Sequence, residues 1–295
     1  LLNKKNFIIG IDCIDEYYDI KLKKDRLKLL NKNKNFKFFK FNLNNKKKID
    51  YFFKSKKIDC VFHLAAQAGV RYSFIRPLKY MNDNFISFMN ILENIKKYKI
   101  KKFFFASSSS VYGDIRKLPV KESDQLNEKN LYSMSKTFNE KISKIYSEKY
   151  NLNICGLRFF TVYGEWGRPD MFMMKYLNSK KNFNLFNKGN HYRDFTFIED
   201  INKIVFKLLK KKFKGFNFFN ICSNKSIKIT FVIKLINKYI NKDNVKIRHL
   251  GLQRADVIKT HGSNNKIKKI LKLKNFTSIE TGVKSMIDWY KLENN

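Results

Sequence analysis

The chain has 295 residues, enough to bury the core of one large domain or of two closely joined ones. Its hydrophobic fraction of 43% is ordinary for a globular protein and excludes general disorder. The formal net charge is +37, and the lysines are spread along the whole length. Dispersed lysines without a basic recognition element argue against a nucleic-acid-binding protein, although the positive field attracts anionic substrates.

The four cysteines, Cys13, Cys60, Cys155 and Cys222, are far apart and form no CxxC pair. We therefore expect no metal site, no disulfide framework and a reducing cytoplasmic location. The longest apolar runs, such as residues 7–11, are far shorter than the roughly 20 residues of a membrane-spanning helix. The N-terminus lacks the apolar region of a signal peptide, so we expect a soluble protein without a membrane partner.

Short apolar runs alternate with longer amphipathic stretches along the first 160 residues. The apolar runs predict β-strands at residues 7–11, 36–41, 60–64, 102–106 and 154–160. Helical spacing predicts helices over residues 46–56, 75–98 and 131–150, and further helices near 170–180, 200–212, 227–241 and 279–291. This alternation predicts an α/β fold in which helices cover both faces of a doubly wound parallel sheet.

Tyr132 and Lys136 are four residues apart at the start of a predicted helix, so their side chains share one face. Tyrosine is a poor base at its ordinary pKa of about 10, and a neighbouring ammonium group is expected to lower that pKa. This spacing arises readily by chance in a chain rich in tyrosine and lysine. The serine run at residues 107–110 strengthens the interpretation, because it follows a strand whose carboxyl end borders the ligand cleft in open α/β sheets.

At these residues the chain resembles an extended short-chain dehydrogenase/reductase of the NAD-dependent epimerase/dehydratase family. The resemblance is carried by Ser107-Ser-Ser-Ser-Val-Tyr-Gly113 and by the Tyr132 and Lys136 pair. It implies a Rossmann-like fold with a smaller C-terminal substrate-binding region, and NAD as the cofactor. Matching the motif through Val111-Tyr112-Gly113 places the hydroxyl of the family's catalytic triad on Ser108, beside Tyr132 and Lys136.

Further segments resemble the cofactor-binding loops of the family. Gly10-Ile-Asp12 is similar to the segment whose acid binds the adenosine ribose, and Asp12 favours NAD over NADP because it repels a 2′-phosphate. Asn42 stands where the family usually has Asp beside the adenine. Residues 63–73 resemble the loop beneath the nicotinamide, although His63 itself is expected to be a core residue. The implied cofactor-binding residues are Asp12, Asn42, Leu43, Leu64, Ala65, Ala66, Tyr132 and Lys136.

The segment from Leu157 to Met171, LRFFTVYGEWGRPDM, is similar to UDP-glucuronate 4-epimerases, whereas epimerases of other specificity commonly carry Asn at Thr161. Arg168 and Arg71 are candidates to hold a uronate carboxylate or a diphosphate, because a guanidinium binds such anions through paired hydrogen bonds. The implied substrate-binding residues are Arg71, Ser109, Ser110, Thr161, Arg168, Arg193 and, in the segment QRADV of residues 253–257, Asp256.

The residues after Ser108 discriminate among the reactions of the family. Its 4,6-dehydratases carry Asp-Glu where this chain has Ser109 and Ser110, and its UDP-glucuronate decarboxylases carry Glu at the place of Ser110. The resemblance therefore favours 4-epimerisation of a UDP-sugar, UDP-glucuronate to UDP-galacturonate, by transient oxidation at C4. Two alternatives stay open: another epimerase, dehydratase or decarboxylase of the family, or a non-catalytic remnant that binds UDP-sugars or polyanions.

The resemblance covers essentially the whole chain and implies two interleaved regions. Residues 1–165 are expected to bind NAD, and residues 166–295 to bind mainly the UDP-sugar. The family's first strand and Gly-rich turn should lie roughly 20 residues before the ribose acid, but only 11 residues precede Asp12. We therefore expect the chain to be shortened at its N-terminus. Residues 75–98 and 131–150 are candidates for the helix pairing of a homodimer.

Overall fold

The structure is a computed structural model that describes residues 1–2, 6–115, 117–242, 244–253 and 256–294. The strands are β1 (Ile8–Asp12), β2 (Phe36–Lys40), β3 (Cys60–His63), β4 (Lys102–Ser108), β5 (Ile154–Phe159), β6 (Thr161–Tyr163), β7 (Asn182–Phe186), β8 (Tyr192–Phe197), β9 (Phe216–Ile221), β10 (Ser226–Lys228) and β11 (Lys246–Leu250). The α-helices are α1 (Ile20–Asn31), α2 (Lys46–Ser55), α3 (Tyr72–Ile75), α4 (Pro77–Tyr80), α5 (Ser87–Lys97), α6 (Leu131–Tyr150), α7 (Phe172–Leu177), α8 (Ile198–Lys210), α9 (Ile229–Tyr239), α10 (Asn265–Leu271) and α11 (Ile279–Asn294).

The central sheet is parallel, with the strand order β3-β4-β5-β9. On β4, Phe103, Phe104 and Phe105 are fully buried, as expected for a parallel strand covered on both faces. Successive side chains of a strand point to opposite faces. Accordingly Phe103 and Phe105 pack with α2 and α5, whereas Phe104 packs with α8 and α10. The predicted α/β fold with helices on both faces is confirmed.

Two strands near the start of the chain form a separate parallel pair, in which β1 lies beside β2. The amide of Phe41, just after β2, donates to the carbonyl of Asp12 at the end of β1. The carboxyl ends of β1 and β2 are therefore side by side. This contact brings the predicted ribose-binding acid close to Asn42 and Leu43, because those residues follow Phe41 directly.

The second half of the chain builds additional sheets around its own core. Strand β8 pairs with β10 and with β6, and β7 pairs with β11. Helices α7, α9 and α11 bury apolar side chains against these strands. Helices α8 and α10 instead cover the central sheet, so the two halves of the sequence share a core. Within the described part of the chain, no helix has the length and apolarity needed to cross a membrane.

Several local features differ from the sequence-based expectations, which included none of the strands β6 to β11. Helix α1 was not predicted. Its sequence is rich in lysine, and none of its residues is buried in the structure. The short helix α10 was not predicted either. The helix predicted over residues 75–98 is divided into α4, a π-helical turn at Met81–Ile86, and α5. Within this turn the buried Asn84 side chain accepts from the Gln67 amide at 2.7 Å and donates to Ser135 Oγ on α6 at 3.0 Å.

Candidate active site

A large cleft of about 1260 Å³ lies at the carboxyl ends of β1, β3, β4 and β5. Ligands of open α/β sheets bind at this edge. Each residue assigned above to catalysis, cofactor or substrate lines this one cleft. They are Asp12, Asn42, Leu43, Leu64, Ala65, Ala66, Arg71, Ser108, Ser109, Ser110, Tyr132, Lys136, Thr161, Arg168, Arg193 and Asp256.

Tyr132 lies in the first turn of α6, at the edge of the cleft. The helix begins there because the Asn130 side chain accepts from the Ser133 amide at 2.9 Å while the Ser133 hydroxyl accepts from the Asn130 amide at 3.2 Å. This reciprocal cap satisfies two amides that the first helical turn leaves free. The cap thus fixes the helix start, and with it the position of Tyr132.

Ser108 is the last residue of β4, and hydrogen bonding from its side chain acts to lower the pKa of Tyr132. The Ser108 hydroxyl oxygen also accepts from the Ser110 amide at 3.2 Å and from the Ser110 hydroxyl at 2.9 Å. These contacts start the 3₁₀ turn at Ser109–Tyr112. Ser108 and Tyr132 therefore both border the cleft at the carboxyl end of the central strand β4.

The electrostatics of the Tyr132 and Lys136 pair differ from the expectation. Burial raises the pKa of Tyr132, and the opposing influences are the Ser108 hydrogen bond and the positive charge of Arg168. Lys136 lies with its Nζ 5.7 Å from the Tyr132 ring centre and donates to the Ala106 carbonyl at 2.9 Å. Burial lowers the pKa of Lys136 to about 8. The prediction that Lys136 lowers the tyrosine pKa is therefore wrong for the protein without ligand, because burial outweighs the nearby charges.

Arg168 enters the cleft from the loop after β6. It binds the Asp170 carboxylate through Nε at 3.0 Å and Nη2 at 2.6 Å. This pairing raises the pKa of Arg168 in spite of burial, so the guanidinium stays charged. Tyr17, from the segment after β1, donates to the same carboxylate at 3.2 Å. Arg168, whose charge acts on the candidate catalytic tyrosine, is thus held by an acid and a tyrosine that sequence reasoning had not selected.

Arg71, Arg193 and Asp256 also line the cleft. Arg71 and Asp256 form a bidentate ion pair, with distances of 3.3 Å from Nε and 2.6 Å from Nη2. The Arg71 guanidinium also lies 4.2 Å from the ring centre of Phe186. Arg193 donates to the Tyr192 carbonyl at 2.8 Å and the Ile258 carbonyl at 3.1 Å. Within the segment of residues 253–257, residues 254 and 255 lie outside the described part of the chain.

His191 is a cleft residue that sequence reasoning missed. The residue is 3% exposed, its Nε2 is 3.9 Å from the Asp256 carboxylate, and this nitrogen has no hydrogen-bond partner among the described residues. Burial, followed by the charge of Arg193, lowers the His191 pKa, so the ring is neutral near pH 7. The only sequence signal was its position two residues before Arg193. His63, in contrast, does not line the cleft but packs edge-on against Phe88, as expected of a core residue.

At the β1 end of the cleft, Asp12 accepts a hydrogen bond from the amide of Ile14 at 2.6 Å. The side chain of Asn42 accepts similarly from the amide of Asn44 at 2.8 Å. Both residues therefore shape their own turns while their side chains border the cleft. Among the described residues, no group of three His, Cys, Asp or Glu side chains is arranged to hold a metal ion.

Comparison with known proteins points to one family. Residues 13–222 match the model of the NAD dependent epimerase/dehydratase family. Protein CapI of Staphylococcus aureus is 36% identical over 98% of this chain and 92% of its own length. A UDP-glucuronate 4-epimerase of Thermodesulfobacterium geofontis is 34% identical over 99% of this chain and 90% of its own length.

A crystal structure of a UDP-glucuronic acid 4-epimerase mutant from Bacillus cereus, in complex with UDP-4-deoxy-4-fluoro-glucuronic acid and NAD, shares the fold. Its TM-score is 0.91 at 27% identity, and the alignment covers 99% of this chain and 94% of the other. The family match spans most of the chain and includes Ser108, Tyr132 and Lys136. The chain belongs to the NAD-dependent epimerase/dehydratase family.

Proposed function

We propose that this protein catalyses the NAD-dependent 4-epimerisation of a UDP-sugar, converting UDP-glucuronate to UDP-galacturonate. The observation that carries the proposal is the placement of Ser108, Tyr132 and Lys136 in one cleft, where the two residues after Ser108 are serines and not carboxylates. A tyrosine and a serine can move a proton at one substrate oxygen, whereas elimination or decarboxylation in this family uses the carboxylates that are missing here. UDP-glucuronate 4-epimerases among the relatives support the same substrate.

The residues of the cleft suit NAD. Asp12 provides a carboxylate for the hydroxyls of the adenosine ribose, and Asn42 provides an amide for the adenine. Residues 64–66 follow β3 directly and line the same cleft. Lys136 provides an ammonium donor for the nicotinamide ribose. A cleft of about 1260 Å³ also has room for a nucleotide sugar, since pockets for single small ligands measure roughly 300–1,000 Å³.

When bound, NAD accepts a hydride from C4 of the sugar and returns it to the opposite face. Tyr132, as the phenolate, takes the proton of the 4-hydroxyl while C4 is oxidised and gives it back on reduction. Ser108 holds the same oxygen through its hydroxyl group. Burial raises the pKa of Tyr132, and the Ser108 side chain and the positive charge of Arg168 act in the opposite direction, towards the phenolate. The sugar therefore leaves with C4 inverted and without net oxidation.

Arg168 and Arg71, which line the cleft, are the proposed anion sites. Each holds a carboxylate in the structure, Arg168 that of Asp170 and Arg71 that of Asp256. We propose that the uronate carboxylate competes for Arg168 and that the diphosphate competes for Arg71, with Arg193 nearby. Thr161 also lines the cleft and is a further candidate to bind the sugar. The occupied guanidiniums indicate the paired geometry that a carboxylate or phosphate needs.

The test uses the natural full-length protein with UDP-glucuronate and NAD. We expect an equilibrium mixture with UDP-galacturonate, detected by NMR, and no net accumulation of NADH. UDP-xylose or a 4-keto-6-deoxy sugar as the main product would contradict epimerisation. Tyr132→Phe is expected to reduce kcat by about 10²–10⁴-fold with little change in UDP-sugar affinity. Tyr146→Phe is the control, because Tyr146 is on the same helix but contacts Glu93 outside the cleft.

A further inference from the structure

A buried ionic cluster lies directly behind the candidate catalytic pair. Arg158 on β5 binds Glu140 on α6 in bidentate fashion, with Nε to Oε1 at 2.8 Å and Nη2 to Oε2 at 2.7 Å. The hydroxyl of Ser107 on β4 donates to the same carboxylate. These three side chains are 2–5% exposed. None of them is in the catalytic set assigned above, so their role requires a separate explanation.

The cluster connects the strand that carries Ser108 to the helix that carries Tyr132. Ser107 and Arg158 are cross-strand partners in the parallel ladder, which brings their side chains to one face of the sheet. Glu140 follows Tyr132 by eight residues, so the two lie on the same side of α6. Lys136, midway between them, donates to the Ala106 carbonyl. Three consecutive residues of β4 are thus connected to three successive turns of one helix.

Arg158 also holds the turn that follows Ser108. Its Nη1 donates to the Tyr112 hydroxyl at 2.7 Å and to the Glu122 carbonyl at 3.2 Å. Tyr112 in turn donates to the Asn220 side chain on β9 at 2.6 Å. One guanidinium therefore fixes both elements that bring the serine and tyrosine hydroxyls together.

Stability alone does not explain such a cluster. Desolvating two charges offsets most of their attraction, and apolar residues of equal volume are often as stabilising. What a buried, fully hydrogen-bonded pair adds is a fixed relative geometry. Catalytic groups need that geometry to within a fraction of an ångström, and a misplacement of about 1 Å lowers rates by about a hundredfold. We infer that Ser107, Glu140 and Arg158 are positioning residues that set the distance between Ser108 and Tyr132.

The inference rests on the proposed function, and Ser107→Ala is its most direct test. Removing one buried charge of the Glu140–Arg158 pair would risk unfolding, whereas this change removes one hydroxyl and keeps the ion pair. We expect kcat to fall by about tenfold or more, with KM for the UDP-sugar nearly unchanged. The kinetic isotope effect with substrate deuterated at C4 should increase, since misalignment slows the hydride step.

Ser143→Ala is the matched control. Ser143 is also fully buried on α6, but its hydroxyl has no hydrogen-bond partner in the structure. This variant should keep the wild-type kcat and isotope effect. An unchanged kcat in Ser107→Ala, or an equal loss in both variants, would overturn the positioning role. Tyr112→Phe removes the hydroxyl that accepts a hydrogen bond from Arg158 Nη1. This variant should show the same fall in kcat and the same increase in the isotope effect as Ser107→Ala.

Amide hydrogen exchange separates this inference from the proposed function, because it needs no substrate. In the full-length protein, Ser107→Ala should accelerate exchange at residues 108–112 and 131–136, while Ser143→Ala should leave these segments unchanged. Identical exchange in both variants and the wild type would contradict the inference. If the wild type fails to convert UDP-glucuronate but the exchange difference is seen, the proposed substrate is wrong and the anchoring role remains.

Discussion

His63 illustrates how burial at a single residue sets the pH dependence of the fold. It is 6% exposed and packs against Phe88. Burial, together with the charge of Lys136, lowers the His63 pKa to about 3, from 6.5 in the unfolded chain. The folded protein therefore keeps the ring neutral while the unfolded chain takes up a proton. The associated stability is present above pH 6.5 and is lost as the pH falls from 6.5 towards 3.

We predict that the unfolding free energy of His63→Leu falls less steeply with decreasing pH than that of the wild type. Between pH 7 and pH 5 the wild type should lose about 2 kcal/mol of unfolding free energy through this residue, since one pKa unit corresponds to about 1.4 kcal/mol. Urea denaturation at both pH values measures the difference. His249→Leu serves as the control because His249 is exposed on β11. Equal acid slopes in the wild type and His63→Leu would show that another group controls the loss.

The Tyr132 and Lys136 pair marks the limit of local reasoning about residues. From the four-residue spacing we predicted that both side chains share one face of a helix. In the structure both residues are on α6 and line the cleft. It could not give the sign of the pKa shift of Tyr132, because that depends on how much of the surrounding chain excludes water. It also could not reveal that Arg168, from a distant loop, is one of the charges that favour the phenolate.

At the scale of elements, helix α6 is the best-determined piece of the site. Its predicted bounds, 131–150, agree with the structure. The helical pattern in the sequence extends over all 20 residues of the helix. In the structure, Asn130 caps the N-terminus and Asn151 ends the helix in the left-handed conformation. The π-helical turn at Met81–Ile86 left no comparable mark. It depends on hydrogen bonds between Asn84 and residues distant in sequence.

We predict that Asn130→Ala destabilises the protein by about 1 kcal/mol, because it removes the N-terminal cap of α6. Urea denaturation measures this loss, and a lower kcat should accompany it because Tyr132 lies in the first turn. Asn151→Gly, at the opposite end of the helix, is the control. Asn151 has a φ of 51°, a conformation that glycine adopts without strain. A wild-type unfolding curve for Asn130→Ala would contradict the role of the cap.

At the scale of the whole molecule, the surface beside the cleft carries exposed apolar side chains. Phe85 and Phe138 pack together with ring centres 4.9 Å apart, joining the two segments proposed to form a dimer. On their outer surfaces Ile86 is 48% exposed, and Met134 and Ile145 are each 55% exposed. Exposed apolar groups of this kind are typical of protein interfaces. We propose that these segments pair with a second copy of the chain.

The double variant Met134→Glu/Ile145→Glu tests this pairing. We expect a dimer for the wild type and a monomer for the variant by light scattering after size-exclusion chromatography, because buried unpaired carboxylates oppose association. Lys144→Glu, an exposed charge change on the same helix, should leave the dimer intact. A monomeric wild type, or a variant that remains dimeric, would exclude this surface as the dimer interface.

The division of the chain near residue 165 into a region that binds NAD and a region that binds the UDP-sugar also stays a prediction, although the two halves share a core.

The sequence by itself determined the α/β fold, three of the four strands of the central sheet and the candidate catalytic residues, because apolar runs and short motifs are local patterns that survive a compositional bias towards lysine. The tertiary structure alone decided which of these residues meet. The ion pair of Arg71 with Asp256 and the cluster of Ser107 with Glu140 and Arg158 join positions far apart in the chain. Burial also reversed the expected pKa shift of Tyr132, since desolvation is a property of the packed molecule and not of a motif.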